Sequence, residues 1–140
     1  MSSITDEQRK MLIEEAIRVK SNAYCPASQF PVGCAVLSRD GSIFVGCNVE
    51  NASFPCGSCA EVGAVTSAVT HGHKDLIAAA VATNINELVS PCGRCRQILA
   101  EFMGPDSPVF MVNKQLHVKE TTMGNLLPYS FEMRMLPTQK

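Results

Sequence analysis

The chain has 140 residues, of which 46% are hydrophobic and 18% charged, with no tryptophan. That length suits one domain spanning residues 1–140 with a real core, and the low charge content suggests apolar surface buried against other subunits. A formal charge of −1 excludes a polyanion-binding face, so a small near-neutral ligand is expected and a nucleic acid is not. The polar start "MSSITDEQRK" lacks a secretory pattern and no apolar run approaches membrane length. A cytoplasmic, membrane-free setting is therefore expected. In such a reducing setting the seven cysteines are thiols or metal ligands rather than disulfides.

The first expected element is a helix in "TDEQRKMLIEEAIRVKSNA". Thr5 and Gln8 form a capping box, and Met11, Leu12, Ala16 and Val19 recur at helical spacing. "PVGCAVLS" and "SIFVGCNVE" read as antiparallel strands joined through Asp40-Gly41. "SCAEVGAVTSAVTHG" reads as a buried helix closed by Gly72. "LIAAAVATN" has no alternation, but its place between two helices favours a strand buried on both faces. A helix from "CGRCRQILAEFMG", short strands "PVFMVN" and "LHVKE", and a short helix in "TTMGNLLP" complete the chain. Together they describe an α/β fold, a three-layer α/β/α sandwich around a mixed sheet.

Two Cys-x-x-Cys pairs, Cys56/Cys59 and Cys92/Cys95, can be read in two ways. One is a closed four-cysteine structural zinc site. The 32 residues between the pairs exceed the roughly 15–20 of compact zinc sites, and they hold a helix and a strand rather than hairpin loops. The other reading uses Cys59, Cys92 and Cys95 at two helix starts, where the dipole favours thiolate, and leaves a fourth zinc position open for water. Glu61 then sits in the first helical turn, close to the metal without ligating it. There it can take a proton and pass it on. Alone, Glu61 would be a carboxylate complementing the helix dipole. With Cys59 before it and Pro-Cys-x-x-Cys far downstream, the pattern resembles the signature of zinc nucleobase deaminases.

On these motifs, with "FPVGCAVL", "GCNVENASFP", "CAE", "SPCGRCRQ" and "LLPYSF", the chain resembles the short, homotetrameric, three-cysteine cytidine deaminases over nearly its whole length. The resemblance implies a five-stranded sheet and Zn²⁺ held by Cys59, Cys92 and Cys95. It makes Glu61 the proton shuttle and places Asn48 and Glu50 on the ribose hydroxyl. Phe30 would pack on the pyrimidine, and the Ala60 N–H and the Ser90 carbonyl would read the base edge. Phe131 would reach into a neighbouring subunit's pocket. The implied reaction is hydrolytic deamination of cytidine and 2′-deoxycytidine to the uridine and ammonia.

Two positions depart from that family. Val62 stands where it usually has Arg after the catalytic Glu, and Ala27 where it usually has Tyr. Zinc with three thiolates is net negative, so another cation is expected nearby, and Arg94 inside "PCGRC" can supply it. The same exchange resembles blasticidin S deaminases, which makes a cytosine nucleoside antibiotic the alternative substrate. Glu50, Phe30 and "LLPYSF" favour the cytidine type. Cys25, Cys34 and Cys47 read as small buried apolar residues, and Cys56 is unassigned. His71 and His73 read as partners of a helix C-terminus.

Overall fold

The computed structural model describes residues 4–137 of the chain. Helix α1 (Asp6–Lys20) begins with the expected capping box, Thr5 Oγ1 accepting from Gln8 N–H and Gln8 Oε1 accepting from Thr5 N–H, both at 3.0 Å. Its buried stripe is Leu12, Ile13, Ala16 and Val19. Met11 was expected in that stripe but is exposed, and Ile13, about half a turn away, packs against the sheet instead.

Strands β1 (Val32–Ser38), β2 (Ile43–Cys47), β3 (Leu76–Thr83), β4 (Pro108–Val112) and β5 (Val118–Thr122) form one sheet in the order β2-β1-β3-β4-β5. Only β3 and β4 run parallel; the other neighbours are antiparallel. Helix α2 (Ala60–Thr70) and then β3 occupy the segment between the two cysteine pairs, and helix α3 (Gly93–Ala100) starts at the second pair. A single turn, α4 (Met123–Leu126), follows β5 directly and is capped by Thr122 Oγ1, which accepts from Asn125 N–H. Thr121 and Thr122, expected at the start of that helix, instead complete β5 and pair with Val109 and Pro108.

The expected three-layer α/β/α sandwich around a five-stranded mixed sheet is the architecture found. On one face α1 packs on Ala35, Leu37, Ala78, Ala80 and Phe110. On the other, Ala60, Ala64, Val65 and Ala68 of α2, with Leu99 of α3, cover Cys34, Val36, Ala79 and Val81. Every residue of β3 is buried, which explains a run without alternation: both its faces meet a helix. Small residues bring the helices close. A Cβ on Gly46 would stand 2.4 Å from the Ala64 nitrogen and 2.5 Å from the Ala60 oxygen. Only glycine lets β2 press against α2, and that contact fixes the start of the helix bearing Cys59 and Glu61.

Candidate active site

Three features of the local sequence build the site. Cys59 is the N-cap of α2 and Cys92 the N-cap of α3, and neither uses its side chain for capping. Both thiols are thus free to turn toward each other. Cys95, buried in the first turn of α3, completes the set, and the three sulfurs lie within 4.8 Å of one another. Cys56 lies in a 3-10 turn (Phe54–Cys56), is exposed, and is outside this cluster. Of the remaining cysteines only Cys34 is fully buried; Cys25 and Cys47, expected to be buried, are half-buried.

The electrostatics of the cluster call for a cation. Burial pushes the Cys95 thiol well above its ordinary range, and the charges of Glu61 and Cys59 push it further. Burial likewise raises Cys59, with Cys92 and Glu61 adding to it against a hydrogen bond from Cys95. Burial also acts on Cys92, but the Cys95 N–H, the Cys95 and Cys59 thiols and the Arg94 N–H outweigh it and leave Cys92 below its ordinary value. Only a metal ion holds three crowded sulfurs together as thiolates, because a coordinated thiol is deprotonated outright. Three sulfurs with a position left open match zinc in a catalytic rather than a closed structural site.

Glu61, the second residue of α2, is only 4% exposed. Burial raises its carboxyl above the ordinary range, offset in part by its own N–H and by the Cys95 thiol. It has no basic partner among the described ion pairs. A buried carboxyl with a raised pKa beside a metal-ligand cluster is suited to accept and return a proton.

A cavity of about 340 Å³ opens on the three cysteines and Glu61. Its walls include Phe30, Asn48, Glu50, Ala60 and Ser90, so the structure brings these residues together. Asn48 has work of its own: Oδ1 accepts from Val32 N–H at 2.8 Å and Nδ2 donates to Phe30 O at 2.8 Å. It thereby clamps the segment that carries Phe30, with one N–H and one lone pair left for a ligand. Glu50 is held similarly. Its Oε1 accepts from Ala27 N–H at 2.8 Å and Ser28 N–H at 3.2 Å, and its other oxygen accepts from the Ser28 hydroxyl. The Ser28 hydroxyl first, then these N–H groups, hold the carboxyl below its ordinary range against some desolvation, which favours its ionised, accepting form.

Phe131 lies elsewhere. It is 56% exposed and lines a different cavity, between the C-terminal tail and the end of α3. Arg94 is exposed, and among the described residues its guanidinium makes no hydrogen bond or ion pair; only its main-chain N–H serves Cys92. His71 caps α2, its Nδ1 2.8 Å from Ser67 O. His73 instead faces Ser38 and Asp40 across the β1–β2 hairpin. Ser28, Thr83 and Arg96 were not anticipated. Thr83 lines the same cavity, and its hydroxyl is the one buried side-chain polar atom without a partner among the described residues. Arg96 donates three hydrogen bonds around the entrance to α3.

Comparison with known proteins agrees with this geometry. Residues 6–111 match the family model described as the cytidine and deoxycytidylate deaminase zinc-binding region. The cytidine deaminase of Halalkalibacterium halodurans is 44% identical, the match covering 88% of this chain and 93% of that protein. That of Mycobacterium tuberculosis is 36% identical, over 96% and 98%. The crystal structure of the Burkholderia pseudomallei cytidine deaminase superposes with a TM-score of 0.83 at 40% identity, covering 91% of this chain and all of that one. With the three sulfurs and Glu61 set at the matched motifs, the chain belongs to the zinc-dependent cytidine and deoxycytidylate deaminase family.

Proposed function

We propose that the protein deaminates cytidine and 2′-deoxycytidine hydrolytically. The observation that carries this is the convergence of Cys59, Cys92 and Cys95 with the buried Glu61 at one end of a nucleoside-sized cavity. The similar proteins, named cytidine deaminases, support the substrate class. Zinc, when bound by the three thiolates, supplies the activation of the attacking water. The chain's own groups do the rest. Phe30 stacks on the base; Asn48 and Glu50 take the ribose hydroxyl. The Ala60 N–H and the Ser90 carbonyl orient the base edge. Glu61 would take a proton from the attacking water and pass it to N3, then carry the second to the amino group as its bond to C4 breaks and ammonia leaves. The closed wall around Glu61 keeps bulk water from weakening these hydrogen bonds.

Phe54, Tyr129, Phe131 and Met133 are apolar side chains left exposed, as expected where subunits meet. In this reading the protein is a homotetramer in which Phe131 completes a neighbour's pocket. Ultraviolet absorbance should show loss of cytidine and deoxycytidine on the zinc-loaded protein, blasticidin S staying intact, with light scattering giving the mass of four chains. Failure to consume cytidine would overturn the reading.

Arg94 belongs to the same reading as the cation that offsets the thiolates in place of the family's Arg, where Val62 stands. To do so its exposed side chain folds back over the cluster. Arg94→Ala is expected to lower turnover by about tenfold or more, the loss of one charge-assisted hydrogen bond, and to release zinc faster to a chelator. Arg94→Lys should retain part of both. If Arg94→Ala leaves turnover and zinc release unchanged, the side chain serves only solvent.

A further inference from the structure

Arg96 follows the metal ligand Cys95 directly, yet its side chain turns back to the segment ahead of α3. Its Nε donates to Pro91 O at 2.7 Å, Nη2 to Ser90 Oγ at 2.6 Å, and Nη1 to Leu126 O at 2.7 Å, at the end of α4. The guanidinium presents its donors in one plane at fixed angles, so a single side chain holds three acceptors on separate segments. Two of the acceptors flank the Ser90 carbonyl, one on that residue's own side chain and one on the next peptide. The Ser90 carbonyl itself takes no hydrogen bond from any described residue, and Ser90 lines the cavity. Pro91, with its φ fixed by the ring and no N–H, stiffens the same turn.

From this geometry we infer that Arg96 is a positioning residue for base recognition: it fixes the Ser90–Pro91 turn so that the Ser90 carbonyl stays available to accept from the 4-amino group of the pyrimidine. The inference rests on the deaminase reading above and adds a residue to it. The third bond gives the residue a second consequence. Because Leu126 ends α4, and Gln97 Nε2 donates to Phe131 O at 3.0 Å, neighbouring residues of α3 bind the pocket wall and the C-terminal tail to one helix.

The test separates positioning from mere stability by comparing two ligands. A 4-amino base gains from a well-placed carbonyl acceptor; a 4-oxo base, which offers only another acceptor, does not. In Arg96→Met, with zinc content and melting curve recorded, KM for cytidine should rise at least about tenfold, since misplacement by around 1 Å costs up to about 100-fold. The inhibition constant of uridine should stay within about twofold of wild type, so that 4-amino over 4-oxo preference collapses. Ser90→Ala removes only the Nη2 acceptor and serves should Arg96→Met fail to fold; it should shift the same ratio in the same direction by a fewfold. Equal weakening of cytidine and uridine, or an unchanged ratio in the folded variant, would overturn the inference. Absence of cytidine turnover in the wild-type protein would instead remove the deaminase reading beneath it.

Discussion

Glu61→Gln is expected to keep the fold and the bound zinc and to lose roughly 10²–10⁴-fold in kcat, the usual contribution of a general acid–base. The amide has the shape of the carboxylate, so the tight start of α2 against Gly46 is undisturbed. What it lacks is a site that accepts and returns a proton. The residue is 4% exposed, and burial already works against its ionised form. A neutral amide there removes that desolvation penalty, so the melting temperature should hold or rise while activity falls, as expected of a residue kept for chemistry at some cost in stability. Zinc stoichiometry, a melting curve and steady-state kinetics check the three parts together. Turnover within a fewfold of wild type would reduce Glu61 to a first-turn carboxylate complementing the helix dipole, an interaction of about 0.3–1 kcal/mol.

The parts of this molecule that were legible in the sequence are those whose cause is local. Thr5 and Gln8 start α1 because a capping box needs only residues three apart. β3 could be placed because an unbroken apolar run between two helices has both faces to cover, and the structure buries all of it. The three-cysteine cluster was legible because two helix starts and their spacing express a single chemical need. Met11 against Ile13 was not decidable from periodicity, since both border the apolar stripe and only the sheet's surface chooses between them. The bonds of Asn48 to Val32 and Phe30, and of Arg96 to Leu126, were hidden for a different reason. Each joins positions brought together by the strand order β2-β1-β3-β4-β5 and by the return of the chain after β5. An asparagine at a strand end or an arginine in a helix carries no mark of which carbonyl it will meet. Side-chain bonding of this kind follows from the order of the strands and the path of the tail, which local sequence pattern does not specify.

Cys59→Ala and Cys56→Ala should part company completely. Cys59→Ala is expected to lose stoichiometric zinc and deaminase activity, and Cys56→Ala to keep zinc and most activity. Cys59 caps α2 in line with Cys92 and Cys95, whereas Cys56 is exposed in the turn before it and outside the sulfur cluster. The comparison also decides what kind of zinc site this is. A closed structural site contributes its binding energy to folding, and losing a ligand unfolds it. Here α2 is held by its own apolar face, with Ala60, Ala64, Val65 and Ala68 in the core and Gly46 beneath it. Cys59→Ala should therefore stay folded by circular dichroism, with a lowered melting temperature, though it holds no zinc. Retained zinc in Cys59→Ala would remove Cys59 from the ligand set. Loss of zinc in Cys56→Ala together with loss in Cys59→Ala would mean that Cys56 also ligates the metal and four sulfurs close the site, with no position left for the water that deamination requires.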